Sequence, residues 1–225
     1  MEFEELQKLY EFLFPELEPF IERIGLEDQI KYDNEFEQLR KKVTIKKRIF
    51  IEKNSFTKLI FQAYELGAKY LKIHLIQESQ DLDLNIGVSF SIKDEIGDGT
   101  IKNDLDYFWI IRNDLFLKVN KADFQTYKIA FNKNKLTEID NYTKKTNTQY
   151  IKYDIDDVLR YIIKNLLSNC FNITGIMMNL IIFKNYTYNP DMNDRVGISV
   201  HTIINEESNK KDITSIGHDF GTVYP

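Results

Sequence analysis

Three histidines, one cysteine and several close carboxylate pairs are the residues of this 225-residue chain that could carry chemistry. Imidazole titrates near neutrality, so a histidine beside a carboxylate is the simplest general base a sequence can offer. His201 follows Val200 in an apolar run that reads as a strand, and His218-Asp219 stand between glycines near the carboxy end. Brought together, His201, His218 and Asp219 would make a site in which His218 acts as base and Asp219 or Asp194 assists. That is the arrangement of a small hydrolase or nucleotide-handling enzyme. A metal centre needs more ligands at set spacing. Neither a zinc-type Cys/His array nor His-Glu-x-x-His occurs, so no metal and no cofactor is expected. His74, inside Ile73-His74-Leu75-Ile76, reads as a structural strand residue. Cys170, between Asn169 and Phe171, reads as a buried free thiol suited to a reducing cytoplasm. The acidic clusters Asp81/Asp83, Asp94/Glu95/Asp98, Asp191/Asp194 and Glu206/Glu207 read as solvated turns. Gly97-Asp98-Gly99-Thr100 lacks the lysine and the long loop of a phosphate cradle.

Against this sparse catalytic inventory stands an aromatic one of 16 Phe, 13 Tyr and a single Trp. Tyr142, Tyr150, Tyr186 and Tyr188 lie in polar contexts that predict surface positions, where a tyrosine can anchor a protein partner. Net charge is −5. It is unevenly placed: residues 1–40 carry 12 acids against 4 bases, while the remainder is slightly basic. A negative chain repels phosphate backbones, so nucleic acid is not expected as a partner, whereas a basic protein would be attracted. The one basic run, Lys41 to Arg48, splits its charge between the two faces of an expected strand and reads as a lysine-guarded sheet edge. No apolar stretch approaches the ~20 residues of a spanning helix. The acidic start, Met1-Glu2-Phe3-Glu4-Glu5, is unlike a secretory leader. Together these predict a cytoplasmic location and no membrane.

The elements that must position these residues follow from periodicity. Phe3, Leu6, Tyr10 and Leu13 predict a helix over about 2–13, followed by a Pro-initiated short helix ending at Gly25. Phe56, Leu59, Ile60, Ala63, Leu66 and Tyr70 predict a helix capped by Asn54 or Ser55. Residues 72–78 and 84–93 predict a hairpin. Residues 106–139 predict a meander of four short strands, with a helix over 104–119 as the competing reading. Asp154, Asp156 and Asp157 open a helix carrying Val158, Leu159 and Ile162. Strands over about 172–187 and 195–205 precede a glycine-bearing terminal loop.

The two helix-plus-hairpin segments echo one another. Ile86-Gly87-Val88-Ser89-Phe90 matches Val196-Gly197-Ile198-Ser199-Val200, and Ile96-Gly97-Asp98-Gly99-Thr100 finds its residue types again in Ile216 to Thr222. We therefore expect an α+β fold with a mostly antiparallel sheet. It would be built from two αββ units and a central meander, with residues 1–40 as a helical segment, 41–150 as the first unit and meander, and 151–225 as the second unit. Two such units could merge into one larger sheet with both helices on the same side, and their glycines would mark close approaches. The functional expectation is a protein-binding module of inhibitor or immunity type that neutralises a basic partner. The His201/His218/Asp219 enzyme is the alternative, and a sheet-edge homo-oligomer a third reading.

Overall fold

The computed structural model describes residues 22–79, 83–91, 104–167, 173–187, 189–205, 212–214, 218–219 and 222–224. The expected helix over 2–13, Cys170, Tyr188 and the second sequence echo at residues 96–100 lie outside them. The class is α+β with two antiparallel sheets. Sheet A runs β1 (Glu22–Arg23), β11 (His218–Asp219), β9 (Val196–Asn205), β8 (Ile173–Ile182), β2 (Arg48–Glu52), with β10 (Asp212–Thr214) also on β9. Sheet B runs β12 (Thr222–Tyr224), β7 (Tyr150–Asp154), β3 (Tyr70–Ile76), β4 (Asn85–Ser91), β5 (Asp104–Arg112), β6 (Leu115–Val119).

Each long hairpin, β3–β4 and β8–β9, follows a helix that itself follows a strand. That first strand pairs with the other hairpin: β2 lies on β8, with Ile49 opposite Met178, and β7 lies on β3, with Ile151 opposite Ile73. The hairpins therefore stay in separate sheets and do not merge into one. Alternation sets the faces. Ile73, Val88, Trp109 and Ile151 of sheet B and Ile176, Leu180, Ile198 and Val200 of sheet A join one core. Phe56, Leu59 and Ile60 of α2 (Lys53–Glu65) and Val158 and Leu159 of α5 (Ile155–Tyr161) complete it. The reverse faces carry their own helices. Phe124 of α3 (Lys121–Phe131) packs on Phe108 and Ile110 of sheet B, and Tyr32 of α1 (Leu26–Arg40) on Ile181 and Phe183 over sheet A.

Several expectations are corrected. Gly25, with φ −56° and ψ 146°, opens α1 instead of closing a helix, and the residues before it form β1 because their backbone pairs with β11. Neither Asn54 nor Ser55 caps α2, which already begins at Lys53 with Glu52 in the cap position; the Ser55 hydroxyl instead accepts from the Phe116 N–H at 3.0 Å. Of the expected meander only β5 and β6 are strands; a helix over 104–119 is absent. Residues 121–143 are helical, as α3, a π-helical turn over Asn132–Leu136 and α4 (Thr137–Thr143). The terminal loop contributes the short strands β10, β11 and β12. β2 is an edge among the described residues, but it begins at Arg48, so the lysines of the basic run precede the strand and do not guard it; Asp154 caps α5 by accepting from the Asp156 N–H. The two glycines do mark close approaches: a Cβ at Gly87 would lie 2.5 Å from the Phe124 ring, and one at Gly197 would press into the ring of Phe183.

Candidate functional site

Helix α1 covers His201 and lies near Tyr186 and Tyr142, three of the residues that the sequence singles out. Its inward face carries Gln29, Tyr32, Phe36 and Leu39, at spacings of three and four that define one helical stripe. Phe36 and Leu39 reach the main core, and Tyr32 meets Phe183 edge-on at 5.5 Å. Gln29 points at the reverse face of sheet A, where alternation places Met177, Asn179, Ser199 and His201 together. Its amide donates to Ser199 Oγ at 3.3 Å and to Asp33 Oδ1 at 3.1 Å, and Ser199 Oγ lies 3.1 Å from His201 Nε2. All four of Gln29, Asn179, Ser199 and His201 are buried. The apolar seat of the helix thus contains a polar layer, in which Gln29 Oε1 and Asn179 Oδ1 have no hydrogen-bond partner among the described residues.

This arrangement decides the place of His201. Its ring lies buried beneath α1, with Nε2 3.1 Å from the Ser199 hydroxyl. The backbone of His218 pairs with Val200 and Arg23, and that of Asp219 with Glu22, so β11 is adjacent to the His201 strand. The side chains of His218 and Asp219 lie outside the described atoms. Asp194 is committed elsewhere: it pairs with Lys184 Nζ at 2.7 Å in the β8–β9 connection, which holds the Lys184 ammonium above its usual range. Among the described residues no group of three His, Cys, Asp or Glu side chains could hold a metal ion. His74 is buried on sheet B, with Nε2 2.8 Å from Ser89 Oγ and its ring edge-on to Phe124. Burial, then the charges of Lys128 and Lys72, hold it well below its ordinary pKa, as a neutral structural imidazole.

The tyrosines divide. Tyr150, expected at the surface, is buried, its ring 5.6 Å from His74, because it stands opposite His74 on the face of sheet B over which Phe124 of α3 packs. Of its polar neighbours in sequence, Gln149 precedes the strand and Lys152 shares its face. Tyr142 and Tyr186 remain half-buried. Tyr186 stacks on Phe183 at 5.4 Å, beside the seat of α1, and Tyr142 takes the Lys42 ammonium over its ring at 5.2 Å, just past the carboxy end of α1.

The outward face of α1 was not legible as a site. Leu26 is 71% exposed and Ile30 53% exposed, four residues apart and therefore on one face, with the exposed acids Glu27 and Asp28 beside them. The helix carries five acids against two bases. Its far end is pinned by Lys47, which reaches Glu37 at 3.1 Å and Asp33 at 3.7 Å. Burial pushes the Glu37 carboxyl up, and its contacts with Lys47 and Arg40 together outweigh this and lower it. Glu27 and Asp28 at the other end have no such cation among the ion pairs seen.

A cleft of about 660 Å³ at the start of α5 is bordered by Tyr64, Tyr70, Lys69, Asp154 and Asp156. Burial, then the neighbouring Asp154, raises Asp156, with Arg160 partly offsetting both. These carboxylates begin the helix, and Asp154 is spent on its cap. Comparison with family models, curated proteins and solved structures finds no match.

Proposed function

We propose that the chain is a cytoplasmic protein-binding module whose outward α1 face docks on a basic protein, in the manner of an inhibitor or immunity-type protein that covers its partner's working surface. The observation that supports this most directly is the exposed Leu26/Ile30 pair set in a helix of net charge −3. Exposed large aliphatics on an acidic helix supply the two parts of an association site: an apolar anchor, and a field that attracts cationic surface. Half-buried Tyr186 lies beside the seat of the same helix, and half-buried Tyr142 beyond its carboxy end. The single cysteine of the chain suits a reducing compartment. Among the described residues no helix is long and apolar enough to cross a membrane. The enzyme reading based on His201, His218 and Asp219 gains no support from a His201 ring closed beneath α1.

The experiment is affinity capture from the native cell with the wild-type chain, a Leu26→Asp/Ile30→Asp variant and a Glu27→Lys/Asp28→Lys variant, all shown to melt alike. The reading expects a basic partner held by the wild type and lost by the first variant. The charge variant should bind more slowly, and the wild-type association rate should fall as salt rises. Binding that ignores salt and both variants would refute it.

A further inference from the structure

Sheet B ends in an edge strand that is built for company. β6 follows a two-residue turn, Asn113-Asp114, both at positive φ (50° and 65°), so Arg112 faces Leu115 across the hairpin. In a two-residue hairpin the residues flanking the turn exchange hydrogen bonds, and every second pair beyond them does the same. Leu115, Leu117 and Val119 therefore bond to β5, and the backbone groups of Phe116 and Lys118 point away from the sheet. The Asp114 carbonyl accepts from the Glu52 N–H at 2.9 Å and the Phe116 N–H is held by Ser55, which close the first half of the edge. The Phe116 carbonyl and the N–H and carbonyl of Lys118 face outward with no strand beyond them among the described residues.

Natural sheets guard such an edge with proline, a bulge or inward-pointing charge. β6 has only Lys118, and it exposes 45% of both Leu115 and Leu117. Alongside, a groove of about 360 Å³ separates β6 from α2, with Leu59, Trp109 and Phe116 in its lining and Lys58 on its rim. Lys118 rests its ammonium 4.2 Å from the Tyr107 ring, so its position is set in advance. Lys58 and Glu52 line the groove, and Lys118 adds a second ammonium on the strand itself.

We infer that the Phe116–Lys118 edge and the adjoining groove bind an extended, acidic segment of another protein by strand addition, the segment placing an apolar side chain in the groove and carboxylates against Lys58 and Lys118. Only an extended backbone offers the alternating donors and acceptors that three outward groups on consecutive turns of the pleat require. A second copy of this chain fits less well. Pairing centred on Leu117 needs the Phe116 N–H that Ser55 holds, and pairing centred on Lys118 sets two ammonium groups opposite each other. This surface is independent of the α1 face and opposite to it in charge.

The test uses a blocked synthetic heptapeptide alternating valine with aspartate or glutamate, a lysine-for-acid version, and a version with N-methylated backbone, titrated into the full chain and read by amide exchange and chemical shift. The acidic peptide is expected to slow exchange of the Lys118 amide about tenfold, and both altered peptides to bind about tenfold more weakly. Lys118→Pro removes the outward N–H together with the ammonium, a substitution that edge strands tolerate, and should abolish peptide binding as read by chemical shifts along the rest of β6. Lys118→Glu weakens it through charge and serves if the proline variant melts early. An unprotected Lys118 amide at millimolar peptide, equal binding of the acidic and basic peptides, or a concentration-dependent dimer that protects β6 without peptide would each overturn the inference.

Discussion

Gly197→Ala tests the seat of α1. A methyl group at this position would press into the Phe183 ring, 2.7 Å from Cζ and closer still to Cε2. Carbon atoms in contact rest about 3.5–4 Å apart, so the ring must withdraw by roughly 1 Å. It has little room: Phe183 is buried between Tyr32 of α1 and Tyr186, in a small cluster completed by Ile24, Ile181 and Met192. Overpacking of this kind costs about 1–3 kcal/mol. In a chain of this length that lowers the melting temperature by roughly 2–12 °C. Because the displaced ring pushes on Tyr32, amide exchange should quicken in α1 before it does in sheet B. Phe183→Leu deletes the offending ring atoms, so the double variant should be about as stable as Phe183→Leu alone. Gly25→Ala is the control: its nearest atom would be Asp28 Oδ2 at 3.8 Å, and it should cost nothing. A Gly197→Ala protein that melts with the wild type, or a double variant that pays both losses in full, would refute the reasoning.

Other outcomes follow from the same geometry. Leu26→Ala/Ile30→Ala should shift stability by no more than about 0.5 kcal/mol in a denaturant titration, because both side chains are already largely in water. Lys144 closes α4 at φ 60° and ψ 28°, a conformation that costs a side-chain-bearing residue about 1 kcal/mol or more. Lys144→Gly should therefore raise the melting temperature by a few degrees. His74 has its folded-state pKa held below the ordinary 6.5, so the unfolded chain takes up the proton first. Stability is full above that value and falls as pH drops beneath it, by at most about 1.4 kcal/mol per pH unit. Urea titrations at neutral and mildly acid pH should show this loss, and His74→Gln should lack it.

Periodicity made α2, α5 and both long hairpins legible, because each buries one face against the shared core and so writes its period into the sequence. Residues 121–143 misled for a physical reason. Phe124, Phe131, Leu136 and Ile139 are the buried positions, and the π-helical turn inserts a five-residue step between Phe131 and Leu136 that erases the 3.6-residue rhythm. The start signal was present, since Asn120 Oδ1 accepts from the Asp123 N–H. α1 falls within the helical segment expected over 1–40, but its own period was not legible, since Gln29 occupies an inward position that a hydrophobic pattern leaves blank. The burial of Tyr150 depends on His74 of β3, which is remote in sequence, and no local context contains it. The same holds for His201, whose cover comes from a helix about 170 residues earlier.

The crossing-over of β2 and β7 has a mechanical meaning. Each hairpin borrows its outer strand from the opposite half of the chain, so the halves are clasped like two hands with one finger exchanged. Cleavage in the stretch between α4 and β7 would leave two fragments, each with a raw sheet margin where the loaned strand had been. Neither should hold its shape alone, but mixed together they should find each other, and the intact chain should come apart in one step instead of two.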